Sequence, residues 1–204
     1  MYGAWLSGFA LFGALLAGGF AIKMMDDALD VDYDICRGRR TLAAKLGKGA
    51  LPYALLVGLV GTAWNAHVVI AVFLASYTVG MALRLGERLP TRLPAGVEMA
   101  LAALLSILLV GWMLTLWAIA MMAVIDWLDD VVDVSNDALA GAANMVARIG
   151  LIETLLLILC ALCIAVLTNA KLTALTFIAL PLLTIFFDVV TTRVLHSDDD
   201  EVRE

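Results

Sequence analysis

The sequence is short of charge: Lys, Arg, Asp and Glu make up 16% of its 204 residues, where a soluble domain carries about a quarter. That shortage excludes a water-soluble globule. Cysteine is scarce as well. Cys36, Cys160 and Cys163 supply no disulfide framework. The C-x-x-C spacing of Cys160 and Cys163 falls inside an apolar run with no other ligand types around it, which predicts core packing rather than metal or redox chemistry. No basic stretch precedes the first apolar run and no clear small-residue cleavage site comes after it, so the N-terminal segment is expected to be a retained helix. Long polar stretches are also missing, which excludes disorder.

What the chain has is apolar surface. It is 63% hydrophobic with a mean hydropathy of +0.99. Apolar segments fall at 3–25, 50–64, 68–86, 97–125, 151–168 and 172–190. A helical crossing takes about 20 residues at 1.5 Å each. Four of the six fit that length; 50–64 is short, and 97–125 is long enough to tilt, protrude or hide a break near Gly111. These features predict an all-α polytopic membrane protein, a bundle of about six transmembrane helices. Asn65 and His67, between two apolar segments, read as turn chemistry. Gly8, Gly13, Gly18 and Gly19 suit close helix–helix approach, the means by which helices gain contact in lipid. Asp188, embedded in apolar residues, is expected to reach the interface harmlessly unless the chain is a carrier.

The charges that are present cluster. Of 19 acids, 14 are Asp, and ten of these lie in two groups: Asp26, Asp27, Asp30, Asp32 and Asp34, then Asp126, Asp129, Asp130, Asp133 and Asp137. The net charge of -6 is therefore local, and no nucleic-acid partner is expected. Lys23, Arg37, Arg39, Arg40, Lys45 and Lys48 surround the first group, and Arg84, Arg88 and Arg92 lie before the fourth apolar segment. The positive-inside rule places both basic stretches, and the first Asp motif, on the cytoplasmic side of a multi-pass protein of the cell membrane. The tail from His196 to Glu201 reads as a solvated acidic end.

A shift of 103 positions superimposes the acidic groups without a gap. Asp26, Asp27, Asp30, Val31, Asp34, Gly38, Ala44 and Gly47 fall on Asp129, Asp130, Asp133, Val134, Asp137, Gly141, Ala147 and Gly150, with Lys45 over Arg148. Each group comes after a long apolar segment and precedes two more. The pattern predicts two three-helix repeats, 1–96 with motif 26–34 and 97–204 with motif 126–137 and the acidic tail, their long first helices packed centrally.

On a helix, Asp27, Asp30 and Asp34 share a face, as do Asp126, Asp130, Asp133 and Asp137. Like charges on one stripe repel, and a divalent cation offsets that repulsion. Mg²⁺ takes oxygen ligands and commonly bridges one or two carboxylates to phosphate. Asp26, Asp27, Asp30, Asp34, Asp126, Asp129, Asp130, Asp133 and Asp137 are accordingly the candidate metal ligands.

Asp26-Asp27-Ala28-Leu29-Asp30-Val31-Asp32-Tyr33-Asp34 resembles the first signature, N-D-x-x-D-x-x-x-D, of the UbiA superfamily of intramembrane prenyltransferases, with Asp26 where that family usually has Asn. The stretch from Arg37 to Leu42 resembles the basic residues that succeed the signature in that family. The second signature, D-x-x-x-D, is matched by Asp126-Trp127-Leu128-Asp129-Asp130, though Ala138 to Ala143 replace the basic residues commonly found after it. The resemblance implies a Mg²⁺-dependent prenyltransferase whose two motifs bind an isoprenyl diphosphate. Its lipid tail would lie among the helices, and the prenyl group would pass to an acceptor. Carried over, Asp27, Asp30, Asp34, Asp126 and Asp130 would be metal–diphosphate residues, and Arg37, Arg40, Lys45 and Arg148 would contact phosphate. The partners expected are the lipid bilayer and the isoprenyl diphosphate, with a homo-oligomer also compatible.

Three apolar segments between the motifs would put them on opposite membrane faces, as in an inverted repeat. A further crossing within 97–125, or a half-spanning 50–64, would put them on one face. The competing functions depend on this choice: an inverted-repeat transporter or ion-binding protein on one side, a terpene cyclase or diphosphate-releasing relative on the other.

Overall fold

The computed structural model describes the backbone of residues 2–31, 41–140 and 144–201, and the side chains of 7–31, 41–134 and 144–191. The described chain is all helical: α1 (Tyr2–Leu29), α2 (Leu42–Leu46), α3 (Ala50–Gly80), α4 (Ala95–Val110), α5 (Trp112–Ala140), α6 (Met145–Ile149) and α7 (Leu151–Glu201). A single 3₁₀ turn, Gly47–Gly49, leads into α3. Among the described residues, three helical stretches are long and apolar enough to cross a membrane: Ser7–Leu29, Leu42–Gly80 and Leu151–Thr191. Their outward faces are as apolar as their buried ones, and so is that of α4, with Phe9, Leu108 and Leu167 at 72%, 74% and 85% exposure. A soluble bundle would place polar residues there, so the surface fits a membrane protein.

Two of the long helices are broken by an asparagine. Asn65 in α3 (φ -157°, ψ 95°) and Asn169 in α7 (φ -158°, ψ 82°) are extended residues between helical turns. Each acts as the N-cap of the helical segment after it: Asn65 Oδ1 accepts from the Val68 N–H and Asn169 Oδ1 from the Leu172 N–H, both at 3.0 Å. The bend at Asn65 is sharp. A Cβ on Gly61 would sit 3.2 Å from Val69 Cγ2, whereas residues eight apart in a straight helix are separated by about 12 Å. The 97–125 segment, expected as one helix, is two. Gly111 (φ 87°) separates α4 from α5, in a region that L side chains avoid. The buried hydroxyls of Ser106 and Thr115 meet at 2.8 Å although nine residues apart, so the two helices fold back on each other. The expected long central helix 97–125 is therefore replaced by a hairpin.

The chain forms two compact units, 1–69 with 174–204, and 70–173. In the first, α1 buries Ala14, Ala17, Ala21 and Met24 along one stripe. Gly61 admits α1 closely, since a Cβ there would lie 2.9 Å from Ala17 Cβ, and Gly13 lies under the Trp64 ring. Phe20 packs on Phe187 at 5.0 Å and Phe186 at 5.9 Å. In the second unit, Trp117 is fully buried and donates its indole N–H to Thr173 Oγ1 at 3.0 Å. That hydroxyl in turn donates to the Asn169 carbonyl at 2.9 Å.

Local geometry recurs along the chain. Thr41 caps α2 by accepting from the Ala44 N–H, and Asn144, 103 residues later, caps α6 by accepting from the Ala147 N–H. Gly47 (φ 51°) ends the first of these short helices and Gly150 (φ 103°) the second. The buried positions Ala14, Leu15, Ala17 and Ala21 fall on Trp117, Ala118, Ala120 and Val124 at the same offset. Beyond the glycines the offset becomes 104: Ala50, Ala54, Val68 and Ala75 match the buried Thr154, Ile158, Leu172 and Ala179, and Asn65 matches Asn169.

Cys160 and Cys163 are exposed. This corrects the expectation of core packing: three residues apart, they share the outward stripe of an apolar helix, where a small thiol suits lipid as well as it suits a protein core.

Candidate functional site

The first acidic group sits at the end of a long helix and the second begins midway along one, α5 (Trp112–Ala140); the buried face of each helix is built from small or apolar residues. In the first unit, Asp26 and Asp27 occupy the last turn of α1, and Asp30 comes just after it, its N–H donating to the Asp26 carbonyl at 3.0 Å. Asp27 is paired with Lys23 one turn earlier at 3.3 Å. Lys23 also lies 5.7 Å from the centre of the Phe187 ring, so its charge is shared between a carboxylate and a π face. Lys45 is exposed in the last turn of α2. Asp34, Arg37 and Arg40, expected at this site, lie outside the described residues, as does Asp32.

In the second unit, Asp126, Asp129, Asp130 and Asp133 lie on α5, with Asp129 exposed and the others half-buried. Asp137 is on the same helix, its side chain outside the described residues. Asp130 Oδ2 accepts from the Met145 N–H at 2.8 Å, and the Asp130 carbonyl accepts from Asn144 Nδ2 at 2.8 Å. Asp130 thus fastens the start of α6 to α5. Asn144, buried at 4% exposure, joins both ends of this contact. Sequence reading missed it, although an Asn just before a short apolar-periodic run is a helix-start signal. Arg148 is exposed and donates from Nη1 to the Leu83 carbonyl at 3.2 Å, linking α6 to the 81–94 loop.

That loop belongs to the same unit. Thr91 and Tyr77 both donate to Glu98 in the first turn of α4.

Among the described residues, no three His, Cys, Asp or Glu side chains converge closely enough to enclose a metal ion. The donors are nonetheless hard carboxylate oxygens, the type Mg²⁺ selects. An ion held by one or two of them would draw its remaining ligands from water and phosphate. The residues fit an open cation–phosphate seat and do not form a closed protein cage.

The fold and these sites define a class: a chain whose described residues are helical, with helices able to cross a membrane and an acidic group on each of two long helices. No protein-family model, curated protein or solved structure matches it.

Proposed function

We propose that this chain is a compact, UbiA-like intramembrane prenyltransferase, multi-pass in the cell membrane and built from two related three-helix repeats. One observation supports the reading: each acidic group is followed, at an offset of 103 to 104 residues, by a capped short helix, a positive-φ glycine and an Asn break. Chance clustering of Asp on two helices would not bring the same N-capped short helix and the same glycine after each.

Between the groups run four helical pieces, 50–64, 66–80, 95–110 and 112–125, with reversals at Asn65 and Gly111. Each piece is shorter than the roughly 20 residues of a full crossing, so in this reading each pair is a hairpin that enters the membrane and returns to the face it left. The sequence count of three assumed a single helix across 97–125. The even count favours a shared cytoplasmic face for both motifs over an inverted-repeat carrier.

In this reading Asp27, Asp30 and Asp34 with Asp126 and Asp130 bind diphosphate through Mg²⁺, and Arg37, Arg40, Lys45 and Arg148 offset its charge. The ion supplies electrostatic stabilisation of the departing diphosphate. The chain's own part is to hold that head group at the helix ends and to keep the allylic carbon among apolar side chains, away from water. The prenyl group then passes to an acceptor.

The test is direct. Purified protein is given Mg²⁺ and isoprenyl diphosphates from C10 to C50, and binding and diphosphate release are measured. Metal-dependent release is expected, reduced about 100-fold or more in Asp27→Asn and Asp130→Asn, in line with the loss of a preorganised charge. Asn at 130 can still accept from the Met145 N–H, so the α5–α6 contact survives while the charge is removed. Absence of both binding and release across the panel would leave the carrier reading in its place.

A further inference from the structure

Residues 81–94 carry three arginines and one glutamate, and the prenyl-transfer reading uses none of the arginines. The segment is short of regular structure but well fixed. Leu89 N–H donates to the Leu93 carbonyl at 3.0 Å and Arg92 N–H to the Leu89 carbonyl at 2.8 Å. Ala95 N–H donates to the Glu87 carbonyl at 2.8 Å and Gly96 N–H to the Leu85 carbonyl at 3.0 Å. Glu98 gathers the hydroxyls of Thr91 and Tyr77. Arg92 itself takes a left-handed backbone (φ 68°), an uncommon conformation for arginine that the closing hydrogen bonds impose.

On this scaffold the sequence alternates two chemistries at a spacing of four: Arg84, Arg88, Arg92 and Leu85, Leu89, Leu93. All three arginines are exposed, and none pairs with a carboxylate among the described residues. Leu85 and Leu93 are exposed at 45% and 40%. Arg148, also exposed, is tied to the base of the loop through the Leu83 carbonyl. Water is a poor solvent for exposed leucines, and the exposed arginines of the loop outnumber its one glutamate. A surface with phosphate above and acyl chains below satisfies both.

We propose that the 81–94 loop is a seat for the phosphate of an anionic phospholipid headgroup. Arg84, Arg88 and Arg92 bind the phosphate, and Leu85 and Leu93 enter the acyl boundary. The partner is fixed by charge complementarity and by the loop's place between two apolar helices. Guanidinium forks match phosphate oxygens, and a free phosphate would leave the leucines uncovered.

The experiment uses the full chain in mixed micelles of phosphatidylglycerol and phosphatidylcholine, with bound lipid counted by native mass spectrometry. Phosphatidylglycerol is expected to be enriched on the protein. Arg84→Gln, Arg88→Gln and Arg92→Gln together should lower that enrichment roughly 100-fold, since each basic residue at an anionic surface is worth about fivefold. Single replacements, each losing part of the enrichment, keep the test sound if the triple variant is poorly folded. The Leu85→Ser, Leu93→Ser pair leaves every charge in place and should lower retention by a smaller factor. Equal retention of the two lipids, or undiminished enrichment in the arginine variants, overturns the proposal. So does displacement by inorganic phosphate at matched ionic strength, which would make free phosphate the ligand.

Discussion

Asn65 and Asn169 show how much one side chain can decide. An extended residue between two helical segments leaves the first N–H groups of the second without intrahelical partners. An Asn at that position supplies the missing acceptor from its own side chain. Asn65→Ala and Asn169→Ala should each lower stability by about 1 kcal/mol, the usual loss for an N-cap, read as a shift in the midpoint of denaturant unfolding in micelles. Asn65→Asp should keep most of the stability, because a carboxylate oxygen can accept the same bond. Turn chemistry at Asn65 was legible in the sequence. The break at Asn169 was legible too, as the gap between the apolar segments 151–168 and 172–190 that holds Lys171, but the capping role of Asn169 was not. The glycines at 47 and 150 carry the complementary constraint. Both hold backbone angles that are strained for any residue with a Cβ, so Gly47→Ala and Gly150→Ala should each cost about 1–3 kcal/mol.

At the scale of elements, sequence reading named a break near Gly111 as one option for 97–125 but did not resolve it into a hairpin. A hydrophobic run shows where a chain is buried in lipid or protein but is silent on direction, and α4 and α5 are separated by one glycine without polar residues to mark the turn. The signal that was present lay in Ser106 and Thr115, two hydroxyls in an otherwise apolar stretch, which meet across the hairpin. Thr115 also donates back to the Gly111 carbonyl at 2.9 Å. Ser106→Ala and Thr115→Ala should each destabilise the protein by about 1 kcal/mol. The double variant should lose less than the sum, since removing both partners leaves no orphaned hydroxyl. A double-mutant cycle on unfolding free energies measures that coupling. The helical class and the positions of most apolar segments came from hydropathy alone, because 63% apolar composition leaves few alternatives. The acidic groups were legible as clusters. Their fastenings were not, since the bonds from Asn144 and Met145 to Asp130 depend on how the chain returns after 141–143.

For the whole molecule, the decisive quantity is the sidedness of the two acidic groups. Single cysteines placed beside Asp30 and beside Asp133, in a background without Cys36, Cys160 and Cys163, should react with an impermeant maleimide from the same face of sealed vesicles. Labelling from opposite faces would remove the even count of passes and with it the prenyl-transfer reading. The outward surface makes a second statement at this scale. Leu104, Leu108, Leu156 and Leu159 are all exposed at more than half of their area, an arrangement that leaves the folded chain dependent on a hydrocarbon surround.

The division into units has a consequence for how the chain is made. The first unit needs residues 174–204 to be complete, and the second begins only at residue 70. Phe186 and Phe187, which close on Phe20, are translated more than 150 residues after it. At roughly 5–20 residues per second, α1 waits on the order of ten seconds or longer for its last neighbour. During that interval the Phe20 ring and the Gly19 surface that Leu183 later meets are available to other helices in the bilayer. A ribosome stalled before residue 174 therefore leaves a half-built first unit, the form of this protein most exposed to capture by quality-control proteases.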